Sequence, residues 1–445
     1  MGVKANHTEK HWVASLLVSP AVMVAAAFLF RFAFIVLFRL YRFSVYPSNF
    51  WFGFEVGGVA RSLAAGQGFS SPCGFSSGAT ALIPPVYPTL LSLIFRMFGV
   101  FSDASGFVIL TLNAVVSALT CLPILWIGRR TLGETVSIVA AWFWVFWPMG
   151  FWEVRRVWET SLSAFLFSLV FVSVLKLRSD TKSFALKSGL LWGVSALTNP
   201  AILGFLLPAV GWEWIKDGRR VPQLRRHLAF AAGIAVLSIA PWVIRDYAVF
   251  QRWMIIRDNF GFEVYLGNHP AEVGANRFAA HFCNSSSEAN LYRSLGEIAY
   301  INQKKKEAFH YISDNPNIFI KRVLGRAFDL WAGSRETWLD VNVSAASKQV
   351  LGTWIGLGKH LLFGITSILA FWGLYLAFRK KVRDADLFLI MMLFPLLPYY
   401  FSHAENRFRH PIEPVLLLLV AFPLVTLWQN YRARAQERAE MAGVG

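Results

Sequence analysis

The chain has 445 residues, of which 56% are hydrophobic and only 16% carry a formal charge. Soluble domains are about a quarter charged, so these proportions argue against a water-soluble globular protein or a disordered chain. Three cysteines are too few for a disulfide-rich secreted scaffold. The net charge of +17 would suggest a nucleic-acid partner in a soluble protein, but in a membrane protein the distribution of charge matters more than its sum. Composition therefore indicates an integral membrane protein with many helical spans and no nucleic-acid partner.

Apolar runs long enough to cross a bilayer, which takes about 20 residues of helix, recur along the chain. The run from 184 to 215 is too long for one crossing and is broken at Thr198-Asn199-Pro200, so it predicts two short spans joined by a tight turn. We therefore predict an all-α polytopic membrane protein with about ten transmembrane helices. The other runs cover residues 13–38, 106–127, 134–151, 158–175, 228–249, 352–378, 386–402 and 411–428.

Clusters of lysine and arginine occur only after an even number of these predicted crossings. The positive-inside rule then places every cluster and both termini on the cytoplasmic side. The first apolar run is longer than the apolar part of a signal peptide and lacks a small-residue cleavage site, so we expect it to remain as an anchor. The clusters include Lys4, Lys10, Arg129, Arg130, Lys176, Arg178, Lys182, Lys187, Lys216, Arg219, Arg220, Arg225, Arg226, Arg379, Lys380, Lys381, Arg383, Arg432, Arg434 and Arg438.

Two segments on the outer side are too long to be simple connectors, and they divide the chain. We predict an N-terminal transmembrane module, 1–250, whose first outer loop spans 39–103, then an outer-face loop domain, 251–350. Residues 351–445 form C-terminal transmembrane helices and a cytoplasmic tail. In the outer domain, apolar and basic residues interleave from Pro316 to Trp331, which fits a helix lying on the membrane surface or an amphipathic helix packed within the loop.

Glu55 is the only carboxylate of the first outer loop before Asp103, and aromatic and small residues surround it. We expect it near the membrane surface, where partial desolvation raises the pKa of a carboxylate towards the range of a general base. The alternative is that Glu55 forms an ion pair with Arg61 or Arg42.

A second charged segment, Trp152 to Thr160, lies outside between the third and fourth predicted spans. Its acids and arginines at the mouth of a helical bundle are costly unless they pair with each other or bind something charged. Arg155 or Arg156 can hold a phosphate through two hydrogen bonds. The alternative is that Glu159 pairs with either arginine on one helix face.

The outer ends of later spans carry further candidates. Arg245 ends the seventh predicted span, where Asp246 can simply neutralise it. The segment from Ser402 to Pro411, between the last two spans, is either an interfacial anchor or a binding element. Anchoring arginines favour the cytoplasmic face, which argues for binding. Its candidate residues are His403, Arg407 and Arg409.

Motifs for other chemistries are absent from the sequence. It contains no P-loop, no dinucleotide-binding glycine motif after a strand, no H-E-x-x-H and no G-x-S-x-G. The spacing of His269, His281 and His310 fits no metal template, so we expect these histidines to lie on the surface or to pack. Cys73 and Cys283 are both predicted outside and can pair in an oxidising compartment.

The order and sidedness of these segments resemble the GT-C superfamily of glycosyltransferases, which use polyprenyl-phosphate sugars. The resemblance is closest to its protein-mannosyltransferase and aminoarabinose-transferase branch. The strongest local matches are Glu55 to Gly68, Pro84 to Pro88, Arg155 to Glu159 and Arg407 to Pro414.

The resemblance assigns roles to individual residues. Glu55 would be the catalytic acid of the first outer loop, and Glu159 would be the second acid at the start of the fourth span. Many relatives have an Asp-Glu pair where this chain has Phe54-Glu55, which puts metal coordination there in doubt, and no cofactor is certain. The expected donor-phosphate ligands are Arg156, Arg245, Arg407 and Arg409, and the expected substrate-binding residues are Arg61, Tyr87 and His403.

The resemblance further implies a function. The protein would move a sugar from a polyprenyl-phosphate donor to a hydroxyl of a protein, lipid or glycan acceptor, with inversion, on the outer face of a bacterial inner membrane. Glu55 would deprotonate the acceptor, and membrane lipids would surround the bundle. The alternatives are a flippase or transporter of lipid-linked sugars, and a noncatalytic subunit of a glycan-assembly complex.

Overall fold

The computed structural model describes residues 16–43, 50–177, 182–218, 221–270, 280–333 and 345–443. Within these ranges the chain is helical and forms no β-strand, apart from an isolated antiparallel bridge between Ser70 and Ala79. The all-α fold is therefore confirmed. Lys4, Lys10, Arg178, Arg219 and Arg220 of the predicted cytoplasmic clusters, and parts of the predicted domains, lie outside the described residues.

The N-terminal helices run in an order close to that expected from the apolar runs. They are α1 (Pro20–Leu37), α2 (Phe54–Ala64), α3 (Val86–Phe98), α4 (Asp103–Leu119), α5 (Cys121–Thr131), α6 (Glu134–Val145), α7 (Pro148–Val154), α8 (Thr160–Lys176), α9 (Lys182–Thr198), α10 (Ile202–Lys216) and α11 (Pro222–Phe250). The C-terminal part contains α12 (Phe260–Asn268), α13 (Ser286–Leu295), α14 (Glu297–Asp314), α15 (Pro316–Ala332), α16 (Ala345–Arg379), α17 (Ala385–Leu393), α18 (Leu397–Phe401) and α19 (Glu413–Gly443).

The predicted number of spans is not confirmed, and the predicted domain boundaries and cytoplasmic termini stay predictions. By length and composition, the described residues contain 5 helices able to cross a membrane, or up to 6 if the bent pair α6 and α7 is one span. Each predicted span coincides with at least one helix, but several of these helices are short. The break at Asn199-Pro200, for example, leaves α9 with 17 residues and α10 with 15, fewer than the roughly 20 that a perpendicular crossing needs.

The amphipathic stretch predicted from Pro316 onwards forms α15. Its apolar Ile320, Leu324 and Phe328 are all more than half exposed, whereas Arg326 is buried. Arg326 donates hydrogen bonds to backbone carbonyls that include Gly267. An apolar face that stays exposed is typical of a helix on a membrane surface, and that position of α15 stays a prediction.

The first outer loop and the outer domain share one apolar core, separate from the core of the helical bundle. It joins Phe52 and Phe95 to Phe262, Phe282 and Tyr300. Burial of such large aromatic side chains supplies most of the driving force for docking two chain segments that are far apart in sequence. Residues of both segments line one cavity.

Two further connections join the first outer loop to the outer domain. Cys73 and Cys283, which the sequence suggested as a pair, form a disulfide with a Cα–Cα distance of 5.2 Å. Glu297 at the start of α14 accepts hydrogen bonds from the Thr80 hydroxyl at 2.5 Å and the Ala81 backbone N–H at 2.6 Å. The outer domain is thus fastened to the first outer loop by a covalent bond and by a buried carboxylate.

Candidate functional site

A cavity of about 390 Å³ lies where the first outer loop, the outer domain and the bundle meet. Five parts of the chain contribute to it, and the predicted break between α9 and α10 is one of them. The lining residues fall within 51–56 and 82–84, 156–160, 199–201, 255–266 with His281, and 398–411. Several of its acidic and basic side chains face the same space.

Glu55 lies in the first turn of α2 and lines this cavity. Its Oε1 atom is 3.0 Å from Nε2 of His281. The Nδ1 atom of the same imidazole accepts a hydrogen bond from the backbone N–H of Cys283 at 3.1 Å. A ring nitrogen that accepts carries no proton, so the proton is on Nε2 and is donated to Glu55. We expected His281 to pack or to lie on the surface. Its side chain packs against aromatic rings that include Phe262, and it lines the cavity.

The two arginines proposed as alternative partners of Glu55 contact other groups. Arg61 donates a hydrogen bond to the backbone carbonyl of Cys73 at 3.2 Å, and Arg42 lies 3.5 Å from Asp103. Both arginines therefore hold neighbouring parts of the outer loop. The carboxylate of Glu55, whose side chain is 17% exposed, faces His281 and the cavity instead.

Glu159 is the residue directly before α8, and it also lines the cavity. Burial raises the pKa of its carboxyl, although the positive charges of Arg407 and Arg257 lower it. The alternative for Glu159 was an ion pair with a preceding arginine. In the described contacts Arg156 instead lies 3.8 Å from Glu153, and the guanidinium of Arg155 lies 3.7 Å from the centre of the Trp152 ring. Glu159 is thus an acid with a raised pKa at the cavity wall.

Arg257 lines the cavity, and we did not predict it from the sequence. In the described part of the chain its half-buried guanidinium has neither an ion pair nor a side-chain hydrogen bond, and its charge acts at longer range on Glu159 and Glu263. A half-buried cation without a close partner is costly unless a ligand supplies the negative charge. No local pattern distinguishes Arg257 in the sequence, where Asp258 follows it directly and Arg252 lies close before it.

The backbone next to Arg257 is held in an unusual conformation. Ile256, which is fully buried, has a φ of 76°, a region that β-branched residues rarely occupy. The indole N–H of Trp242 donates to the Ile256 carbonyl at 2.9 Å, and the Asp258 N–H donates to the Ala81 carbonyl at 3.1 Å. These bonds compensate the strain and fix the turn that carries Arg257.

Arg407 also lines the cavity, on the short 3₁₀ turn Asn406–Phe408. Its guanidinium lies 4.4 Å from the centre of the Trp158 ring, and its Nε is 2.6 Å from Glu405. Stacking on an aromatic ring leaves the edge of a guanidinium available for further hydrogen bonds. Arg407 is therefore anchored but can still bind an anion.

His403 connects this segment to the outer domain. Its Nδ1 lies 3.2 Å from Glu263 of α12, and its Nε2 lies 3.8 Å from Glu405. Burial raises the pKa of Glu263, but the hydrogen bond and charge of His403, with help from Arg257, lower it to about 2. Glu263 is consequently charged under physiological conditions and holds His403 through their ion pair.

The remaining predicted residues divide into one that lines the cavity and several that do not. Arg156 lines it, and the Asn113 side chain donates to its backbone carbonyl at 2.8 Å. Arg245 donates to the carbonyls of Thr80 and Phe69 and pairs with Asp246 at 2.7 Å. The fully buried Arg409 donates to the Ser367 and Thr366 hydroxyls. Arg245, Arg409, Arg61 and the buried Tyr87 are not among the lining residues.

A divalent metal, which the sequence left open, finds no ligand set at this site. In the ranges that the structure covers, no three His, Cys, Asp or Glu side chains are grouped so that they could hold a metal ion. Glu55 has a phenylalanine before it and a histidine N–H against it. The donor set of the described residues at this site does not fit a metal.

The fold is similar to that of known structures, although no family model and no curated protein matches the chain. Archaeal oligosaccharyltransferase AglB from Archaeoglobus fulgidus, in complex with an inhibitory peptide and a dolichol-phosphate, shares 14% identity at a TM-score of 0.51; the match covers 97% of this chain and 52% of AglB. The AglB structure with Zn and sulfate also shares 14% identity, at a TM-score of 0.53, covering 94% of this chain and 51% of AglB. ArnT from Cupriavidus metallidurans, bound to undecaprenyl phosphate, shares 13% identity over 91% of this chain and 78% of ArnT, but its TM-score of 0.43 is too low to support an argument.

The likeness to AglB concerns the fold. The chain spans about half the length of AglB. This likeness supports the predicted resemblance to the GT-C superfamily at the level of the fold alone. At 14% identity it carries no information on the reaction or on individual residues.

Proposed function

We propose that this protein is a membrane glycosyltransferase that moves a sugar from a polyprenyl-phosphate donor to an acceptor hydroxyl on the outer face of the membrane. The observation that carries the proposal is the cavity in which Glu55 and Glu159 share one space with Arg257 and Arg407. The GT-C fold supports it, and the neighbour AglB has been solved with a dolichol-phosphate. The bacterial inner membrane and cytoplasmic termini belong to the same proposal.

The residues divide the chemistry between a base and an anion-binding side. The acceptor oxygen forms a bond to the anomeric carbon while the bond from that carbon to the phosphate oxygen breaks. Glu55 takes the hydroxyl proton, and the electron pair of the broken bond goes to the lipid phosphate. A phosphate is already a good leaving group, so a positioned base and cations are what the site must supply.

Arg257 and Arg407 are the cations best placed to hold the phosphate. Arg257 has no close counter-ion in the described chain, and Arg407 is pre-oriented by Trp158 and Glu405. Both features reduce the cost of binding an anion, because little must be broken or ordered when the ligand arrives. Arg156 is a third candidate on the same wall.

Glu159 has a different role from Glu55 in this scheme. A carboxyl with a raised pKa keeps its proton to higher pH than an ordinary one. Glu159 lines the same cavity as Glu55, so we propose that it contacts a sugar hydroxyl of the bound donor.

Mass spectrometry of lipids that copurify with the protein tests the proposal. We expect a polyprenyl-phosphate sugar with the wild type, and its loss from the double variant Arg257→Ala, Arg407→Ala. Arg252→Ala is the matched control, because Arg252 pairs with Asp258 at 3.0 Å and does not line the cavity. Absence of such a lipid from the wild type, together with no transfer from added polyprenyl-phosphate sugars, would contradict the proposal.

A further inference from the structure

We infer that His281 is a positioning residue for Glu55, and that the Cys73–Cys283 disulfide holds His281 in place, so that sugar transfer requires the oxidised protein. The catalytic part of this inference rests on the function proposed above. The part that concerns the histidine and the disulfide rests on the geometry alone.

The first step is the fixed direction of the hydrogen bond between the two side chains. His281 receives the Cys283 N–H on Nδ1 and therefore presents an N–H, on Nε2, to Glu55. A donor on Oε1 fixes the rotation of the carboxylate and leaves Oε2 for the proton of the acceptor. Without this donor the carboxylate can rotate away from the acceptor, and a shift of about 1 Å can cost a hundredfold in rate.

The second step is the restraint on the imidazole ring itself. The His281 side chain is only 7% exposed. Its ring lies 4.7 Å from the Phe282 ring and 5.1 Å from the rings of Phe54 and Phe262, measured between centroids. Rings on several sides, one of them from the residue before Glu55, leave the imidazole little freedom to turn.

The third step is the link between the disulfide and both partners. Cys283 provides the backbone N–H that sets the tautomer of His281, and its sulfur is bonded to Cys73. The carbonyl of Cys73 accepts a hydrogen bond from Arg61, which lies on the same helix as Glu55. The disulfide therefore joins the segment that carries His281 to a segment held by the helix that carries Glu55.

The fourth step is that docking of the outer domain does not depend on the disulfide alone. Glu297 holds Thr80 and Ala81 through buried hydrogen bonds, and the aromatic core shared with Phe52 remains. Reduction should release the His281 segment while the domains stay docked. The effect is then a loss of turnover in a folded protein.

Kinetics of two His281 variants test the positioning role. His281→Gln places an amide N–H near the position of Nε2, whereas His281→Leu has similar bulk and no donor. We expect the leucine variant to lose about 10- to 100-fold in kcat, the range for a hydrogen bond to a charged group, with an unchanged Kd for the donor. The glutamine variant should recover most of kcat. Wild-type kcat in the leucine variant, or equal losses in both, would overturn the positioning role.

The disulfide is tested with the double variant Cys73→Ala, Cys283→Ala, and with reductant. Cys121→Ala is the matched control, because Cys121 is the free, buried cysteine of the described chain. We expect the double variant to keep its fold and donor binding while kcat falls as in His281→Leu. Full turnover in the double variant would overturn the requirement for oxidation.

A spectroscopic readout separates this inference from the proposed function. In protein with ¹⁵N-labelled histidine, we expect His281 to show an unprotonated Nδ1 and a protonated Nε2. The Nε2 resonance should shift in Glu55→Leu, which removes the acceptor, and the tautomer pattern should change in the double cysteine variant, which frees the segment that carries His281. This pattern is measurable even if no donor sugar is ever transferred. A His281 protonated on Nδ1, or a pattern that both changes leave intact, would refute the dyad itself.

Discussion

The carboxylate of Glu55 and the imidazole of His281 lie 3.0 Å apart, although 226 positions separate them in the chain. One belongs to the first outer loop and the other to the outer domain. Their contact closes one side of the cavity, so the site exists only when the two outer segments are docked. The geometry of the site therefore depends on the contacts that hold these two segments together.

Arg257→Ala should weaken donor binding by about 10- to 100-fold, because it removes charge-assisted hydrogen bonds to the phosphate. Isothermal titration or quenching of tryptophan fluorescence with a polyprenyl-phosphate sugar measures the Kd. Arg252→Ala, five positions earlier, should leave the Kd within about threefold. Equal Kd values for the wild type and Arg257→Ala would show that Arg257 does not bind the donor.

Glu159→Gln should stabilise the protein at neutral pH and lose that advantage in acid. Burial raises the pKa of Glu159 in the folded state, so the folded state binds the proton more tightly than the unfolded state. In the wild type, burying the charged carboxylate costs free energy of folding. This cost is absent below the pKa of Glu159 in the unfolded state, about 4.3, and it grows as the pH rises through the pKa in the folded state.

Thermal unfolding of both proteins across this pH range checks the sign for Glu159. The exposed Glu134, whose side chain is 69% accessible, is the matched control, and Glu134→Gln should show little change with pH. A variant less stable than the wild type at neutral pH would mean that Glu159 is stabilised as an anion.

Glu297→Ala should lower the free energy of unfolding by at least about 2 kcal/mol, because it leaves several buried donors without an acceptor. These donors are Thr80 at 2.5 Å, Ala81 at 2.6 Å and Tyr292 at 2.7 Å. Glu307 on the same helix is 41% exposed, so Glu307→Ala should stay within about 0.5 kcal/mol. Denaturant unfolding of the two variants side by side gives their free energies of unfolding. Similar values would show that Glu297 does not stabilise the docked outer domain.

Gly58→Ala should destabilise the first outer loop, because a methyl group at this position would collide with the backbone carbonyl of Pro72. Backbone atoms cannot move aside as a flexible side chain can, so α2 would have to shift away from the segment leading to Cys73. Gly211→Ala, where the added methyl group meets nothing within 4 Å, should be neutral or stabilising. A lower Tm for Gly58→Ala alone confirms the close approach of α2.

Much of the fold could be predicted from the sequence, because the bilayer imposes strong rules on composition and charge. The apolar runs coincide with helices, and the break at Asn199-Pro200 lies at the cavity. The count of about ten spans was less secure. A hydropathy pattern does not show that a run such as 386–402 is divided, as the helices Ala385–Leu393 and Leu397–Phe401 are.

The candidate site could be predicted only in part. Glu55, Glu159 and Arg407 stood out because charged residues are rare beside spans. His281 and Arg257 did not stand out, because their meaning depends on the docking of the outer domain, which no local pattern encodes. Arg409 carried the same local signal as Arg407, two positions away, but the backbone turn directs it into the protein towards Ser367.

The role of Glu55 as the base of a glycosyl transfer can be measured by single-turnover transfer with the purified protein in lipid nanodiscs. Glu55→Gln keeps the size and shape of the side chain and removes its basicity. We expect Glu55→Gln to transfer sugar at a single-turnover rate at least about 100-fold below that of the wild type, with an unchanged Kd for the polyprenyl-phosphate donor. A variant that transfers sugar at the wild-type rate would contradict this role.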